Sequence, residues 1–270
     1  MRYLGTRRRF SDLDTHQAMK PYYQDEHVTL YHGDCREILP QLGVQVGCVI
    51  ADPPYGETSL AWDRWPDGWP TVVAALTPSM WCFGSLRMFL ERREQFASWK
   101  LSQDLVWSKG RGSGPVFDRF RRTHESVALW YHGSWNDLHK EQQRTPHFGR
   151  RGEVATHPHG EIDPHRTQML TGRATWRDDG TRTVESVITC RNMHRRGLHP
   201  TEKPLGILSP LISYTCPSGG VVLDPFAGSG STLLAAKLLG YNTIGVEIDE
   251  RYCQITTKRL SQGAFDFGLA

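Results

Sequence analysis

Short apolar runs alternate along the chain with segments whose apolar positions recur at helical spacing. The runs at 28–31, 46–51, 79–83, 105–107, 126–131, 220–224 and 242–247 are of strand length and bounded by turn residues, so each predicts a strand. Helices are predicted between them, at 35–40, 71–76, 86–96, 205–212, 231–239 and 251–260. Asp34 stands where an N-cap would accept from the first turn of its helix, and Gly240 closes the helix at 231–239. In 86–96 the helical spacing rests on Leu86, Phe89, Leu90 and Phe96. Strands alternating with helices predict an α/β sheet covered on both faces.

The pattern lapses twice. Residues 1–27 mix charges without periodicity and read as an N-terminal arm, and 133–198 is polar and rich in arginine and histidine. The chain is therefore expected to comprise an arm (1–27), one half of an α/β domain (28–132), an insertion (133–198) and a second half (199–270). No window approaches the roughly 18 apolar residues of a membrane span, and the first residues lack the apolar core of a signal peptide. A protein that works in the cytoplasm, away from membranes, is expected. The net charge of +3 permits a nucleic-acid partner without demanding one. Six scattered cysteines without a CxxC pair read as reduced and structural. His147, His157, His159 and His165 lack a closed ligand set, so no metal is expected.

Two stretches carry candidate chemistry. Asp224-Pro225-Phe226-Ala227-Gly228-Ser229-Gly230-Ser231-Thr232 joins a strand to a helix, and Glu247 ends the next strand nineteen positions after Gly228. That is the layout of the mononucleotide-binding half of a Rossmann-like sheet, in which the acid accepts from ribose hydroxyls. The third glycine of a dinucleotide fingerprint is replaced by Leu233, and no phosphate-binding lysine follows. Asp224 would repel a pyrophosphate but suits an ammonium. The loop therefore favours adenosine bearing a cationic tail, with Asp34 at another strand end as an acceptor for the adenine amine.

The second stretch is Ala51-Asp52-Pro53-Pro54-Tyr55, a carboxylate, two prolines and an aromatic, expected to be exposed, directly after a buried run. Alone, it is equally an ordinary proline turn. Together with the loop at 224–232, with His199-Pro200-Thr201-Glu202-Lys203-Pro204 and with Gly245-Val246-Glu247-Ile248-Asp249, it resembles the S-adenosylmethionine-dependent DNA amino-methyltransferases. The order, catalytic tetrapeptide before cofactor loop with an insertion between, resembles their circularly permuted β class. The likeness covers roughly 28–131 and 199–260.

This resemblance implies a permuted methyltransferase sheet with an inserted target-recognition region. It assigns catalysis to Asp52, Pro53, Pro54 and Tyr55. It assigns S-adenosylmethionine to Asp34, Ala51, Asp52, His199, Thr201, Lys203, Asp224, Phe226, Ala227, Gly228, Ser229, Gly230, Ser231, Thr232, Glu247 and Ile248, with Lys203 beside the cofactor carboxylate. Aspartate rather than serine at 52 favours adenine N6 as the acceptor. The partner implied is double-stranded DNA in a prokaryotic or phage-infected cell, and a homodimer is allowed. Lys109, Arg111, Arg122, Arg150 and Arg151 are candidate DNA contacts. The alternatives are a cytosine-N4 or RNA enzyme, a glutamine methyltransferase, disfavoured by Asp52 and by the motif order, and a catalytically silent DNA-binding module.

Overall fold

In a buried strand successive side chains point to opposite faces, and two helix layers here are sorted by that rule. Val49, Ala51, Met80 and Cys82 pack with Ile38, Leu39, Trp69 and Phe96 on one side. Cys48, Ile50, Trp81 and Phe83 pack with Ile207, Leu211, Ala235 and Ala236 on the other. The computed structural model describes residues 19–110, 117–118, 120–146, 154–156, 175–177, 179–190 and 202–262.

The central sheet has nine strands in the order Tyr23–Gln24, Val28–His32, Asn242–Glu247, Val221–Asp224, Cys48–Ala51, Ser79–Gly84, His124–Tyr131, Lys100–Ser108 and Val187–Thr189. The five from Val28–His32 to Ser79–Gly84 run parallel. His124–Tyr131 is antiparallel to both its neighbours. Val221–Asp224 and Cys48–Ala51 lie side by side although distant in sequence. From that pair the chain proceeds outward in opposite directions, to Asn242–Glu247 on one side and Ser79–Gly84 on the other. Such a reversal opens a crevice at the carboxyl ends of the two strands, where open α/β sheets bind ligands.

The predicted strands and helices are present, with informative differences at their edges. Strand 105–107 extends to Lys100–Ser108 and 126–131 to His124–Tyr131. Their mutual ladder satisfies the backbone of polar residues that an apolar pattern cannot mark. The helix expected over 86–96 ends at Glu91 and continues as a 3-10 turn, Arg93–Phe96. Leu86 and Leu90 consequently face solvent, while Met88 and Phe96 are buried. Tyr23–Gln24, within the expected arm, is an edge strand, tied down by Asp25 and Lys237 at 2.6 Å.

Within 133–198, Val187–Thr189 joins the central sheet beside Lys100–Ser108. Two further antiparallel pairs, Arg144–Pro146 with Thr181–Thr183 and Val154–Thr156 with Thr175–Arg177, are nested in sequence. All six cysteines are free thiols. Among the described residues no helix is long and apolar enough to cross a membrane.

Candidate active site

Short loops at the carboxyl ends of four strands converge on one cleft of about 620 Å³, whose walls include Asp34, Asp52, Lys203, Asp224, Gly228 and Glu247. Ligand pockets run to roughly 300–1,000 Å³, so a nucleoside with an amino-acid tail fits. Acidic side chains outnumber basic ones along its described walls, which suits a ligand carrying positive charge.

Gly228 and Gly230 both hold positive φ, 53° and 77°. A Cβ on Gly230 would meet Thr256 at 2.6 Å, so the last helix, Glu250–Ser261, packs directly on the loop. The third glycine of a dinucleotide fingerprint permits close packing of helix on strand. Here Leu233 occupies that place, and the small residue is Gly245 on the facing strand, where a Cβ would lie 2.7 Å from Leu233. The close approach is kept with the partners exchanged.

Asp224 is buried and accepts from the Phe226 amide at 2.9 Å. Burial pushes its carboxyl up to about 7, against the opposing bonds from Thr232 and Phe226. A buried acid poised near neutrality is a ready counter-charge for an ammonium. Glu247 accepts from the Gly228 amide at 2.7 Å and the Asp249 amide at 2.8 Å, one on each oxygen. Burial raises this carboxyl too. Asp34 caps its helix through the Arg36 amide and is gripped by the Arg36 guanidinium at 2.6 Å, which holds it below its ordinary value. Ile248 is exposed at the rim.

The strand Cys48–Ala51 delivers Asp52 to the same cleft. Its Oδ1 accepts from the Tyr55 hydroxyl at 3.0 Å, and its Oδ2 from the Lys203 ammonium. Burial, reinforced by Glu125 and opposed by Lys203 and Tyr55, raises the Asp52 carboxyl. Tyr55, expected to be exposed, is half-buried, packs against the core and lines the cleft, with its hydroxyl donated to Asp52. Lys203 is buried and bonded to Asp52, with Glu125 at 3.3 Å. Its neighbour Glu202 makes a buried pair with Arg259 at 2.8 Å, and Arg259 also donates to the Ser229 carbonyl and the Ser231 hydroxyl. That cluster pins the lysine segment to the cofactor loop.

Three acids were not singled out from sequence. Asp63 is buried and accepts from the amides of Gly56, Glu57 and Thr58 at 2.8, 3.0 and 2.7 Å, fixing the chain that leaves Tyr55. Glu125 sits between Lys203 and Lys109. Glu57 accepts from Ser85 and lies 3.8 Å from Arg122. All three are ordinary acids in polar surroundings of the sequence, so no local signal marks them. Of the candidate DNA contacts, Lys109 is paired with Glu125, and Arg122 is exposed, 3.8 Å from Glu57, which lines the cleft. Arg111, Arg150, Arg151, His199 and Thr201 lie outside the described residues, as do the four histidines weighed for a metal.

A sequence model of a DNA methylase family, the N6/N4 methylases, matches residues 46–258. The chain belongs to this family. Relatives of the methylase include the type II methyltransferase M.ScaI of Streptomyces caespitosus, 27% identical over 91% of this chain and 85% of that protein. Another is M2.LlaDCHI of Lactococcus lactis subsp. cremoris, 26% identical over 93% and 95%. Among solved structures, M1.HpyAVI in its SAM complex superposes with a TM-score of 0.57 at 23% identity, covering 86% of the methylase and all but 1% of that chain (99%). The cytosine-N4-specific PvuII methyltransferase gives 0.57 at 15% identity, over 89% and 88%. At such identities these two establish the fold of the methylase and nothing finer.

Proposed function

We propose that this DNA methylase modifies the exocyclic N6 amine of an adenine turned out of the double helix. The observation that carries the reading is the meeting of Asp52 with Asp224 and Glu247 in one cleft at the switch point of the sheet. The cofactor is S-adenosylmethionine, which supplies an activated methyl group. The acid-lined cleft fits it: on this reading Glu247 accepts from ribose, Asp34 from adenine, and Asp224 is the counter-charge for the ammonium.

An adenine amine is a poor nucleophile because its lone pair is delocalised into the ring. The Asp52 carboxylate and the Pro53 carbonyl, held by two consecutive prolines, accept its two hydrogens and turn the lone pair toward the methyl. A charge-assisted bond of this kind contributes roughly 1.5–3 kcal/mol. Asp52, already held above its ordinary range, then takes the proton that the nitrogen sheds after a direct in-line displacement. Unstacking the base costs a few kcal/mol, and a base resting on Tyr55 recovers roughly 1–3 kcal/mol of it. We assign 133–198 to target recognition and the rim around Arg122 to the phosphate backbone. The enzyme acts on double-stranded DNA in the cytoplasm.

Incubating the protein with unmethylated DNA and labelled S-adenosylmethionine, then digesting to nucleosides, tests the assignment. Label in N6-methyldeoxyadenosine is expected. Label in N4-methyldeoxycytidine would transfer the same chemistry to cytosine, and an unlabelled digest from protein that binds the cofactor would overturn the reading.

A further inference from the structure

Asp52 is one end of a chain of alternating charges. Lys203 bonds Asp52 and lies 3.3 Å from Glu125, and Glu125 in turn accepts from Lys109. The chain runs from the Asp52 loop across the strand His124–Tyr131, which carries Glu125, to the residue just past Lys100–Ser108. Both lysines also stand over aromatic faces. Lys203 lies 5.0 Å from the Phe83 centroid and 5.9 Å from that of Trp107, and Lys109 is 5.1 Å from Trp107. The Trp107 indole is itself fixed by donation to the Cys190 carbonyl at 2.9 Å.

A lysine paired to Asp52 alone would compete with the base amine for the same carboxylate, and would draw off the electron density that makes it a good acceptor. Glu125 changes that balance. It offers Lys203 a second anion, while Lys109 keeps Glu125 ionised in a buried place. Burial alone would raise Glu125, yet the two lysines hold it below its ordinary value. The charged and titratable groups facing Asp52 are Tyr55 on its own loop, Cys82 on the neighbouring strand, Lys203, Glu125 and Asp224.

We propose that Glu125 is a positioning residue for methyl transfer: by sharing Lys203 with Asp52, it keeps the lysine from neutralising Asp52 and so preserves the carboxylate as an acceptor for the base amine. The inference rests on the role proposed above for Asp52.

The test is the pH dependence of the single-turnover methylation rate, measured on unmethylated DNA with labelled S-adenosylmethionine. Glu125→Gln removes a negative charge near Asp52. It should move the acid limb to lower pH by about one unit and slow the plateau rate roughly tenfold, with cofactor affinity little changed; one pH unit corresponds to a factor of ten. Glu125→Asp should restore much of the limb. Lys109→Gln takes away a charge that keeps Glu125 ionised and should shift the limb the same way, to lower pH, by less. A merely structural Glu125 would leave the limb unmoved in both variants. If Glu125→Gln does not fold, Lys109→Gln decides alone, a lowered limb supporting the proposal and an unmoved or raised one overturning it. An unmoved limb and plateau in folded Glu125→Gln would also overturn it. If instead Asp52→Ala methylates at the wild-type rate, the role of Asp52 itself falls, a result distinct from either.

Discussion

At the scale of single residues, the site is governed by which carboxylates keep their charge. Asp52 is partly covered, and Lys203 and Tyr55 each occupy one of its oxygens. Asp52→Ala should slow methylation by roughly 10- to 150-fold or more, the equivalent of one charge-assisted hydrogen bond. Its affinity for S-adenosylmethionine should stay within a few-fold; equilibrium binding and single-turnover rates separate the two, and an unslowed variant would contradict the assignment. Asp224 behaves differently. Its carboxyl is raised from 3.8 to about 7 by burial, so the folded protein holds a proton that the unfolded chain has released. The stability this contributes is present below 3.8 and is lost as pH rises through about 7. A cationic ligand reverses the preference, because it binds best to ionised Asp224. S-adenosylmethionine affinity should therefore rise with pH, by up to about tenfold per unit below 7, with release of a proton. Calorimetry in buffers of different ionisation enthalpy measures that proton, and Asp224→Asn should abolish it. Asp52, Asp224 and Glu247 are legible in the sequence because each ends or directly follows a strand. Glu125 is not, since its partners Lys109 and Lys203 are brought to it only by the fold, and Asp63 is not, since a loop folded back on its own amides carries no periodic signal.

At the scale of elements, the cofactor loop is shaped from behind by the helix Glu250–Ser261. Gly230 is left-handed, and a Cβ on it would meet Thr256 at 2.6 Å. Gly240 has a similar φ of 78°, but a Cβ there meets nothing within 4 Å. Gly240→Ala should cost only the conformational strain, about 1–2 kcal/mol. Gly230→Ala should add an overpacking penalty of roughly 1–3 kcal/mol, and weaken cofactor binding as well. Thermal unfolding of the two variants checks this, and equal losses would show that the Thr256 contact yields freely. The sequence located this loop and its helix, and it located the strands of the parallel core. Their apolar runs are continuous because both faces are covered. The pattern is less informative over 86–96, where of the stripe Leu86, Phe89, Leu90 and Phe96 the two leucines face solvent and Phe96 is buried. A six-residue helix followed by a tighter turn does not maintain one face long enough for spacing to identify it.

At the scale of the whole molecule, the methylase presents a cleft lined by acids within a chain of net positive charge. Its two ligands should therefore respond differently to salt. DNA affinity should fall log-linearly as salt rises from 50 to 200 mM, as counterions condense back onto the phosphates, with a slope set by the number of phosphates neutralised. S-adenosylmethionine affinity should change little over the same range; a flat DNA curve would count against phosphate contacts by the arginines of the insertion. The α/β class, the two loops that carry chemistry, their permuted order and the family can be read along the chain. These are local matters, fixed by hydrophobic period, glycine placement and the residue types that follow each strand. Tertiary packing sets Cys48–Ala51 beside Val221–Asp224, adds Val187–Thr189 to the sheet, and brings Lys203 to Asp52 and Glu125. Strand order and buried ion pairs join residues as many as 215 positions apart. Such contacts are selected by the packing of the whole sheet, for which no single stretch of sequence holds the information.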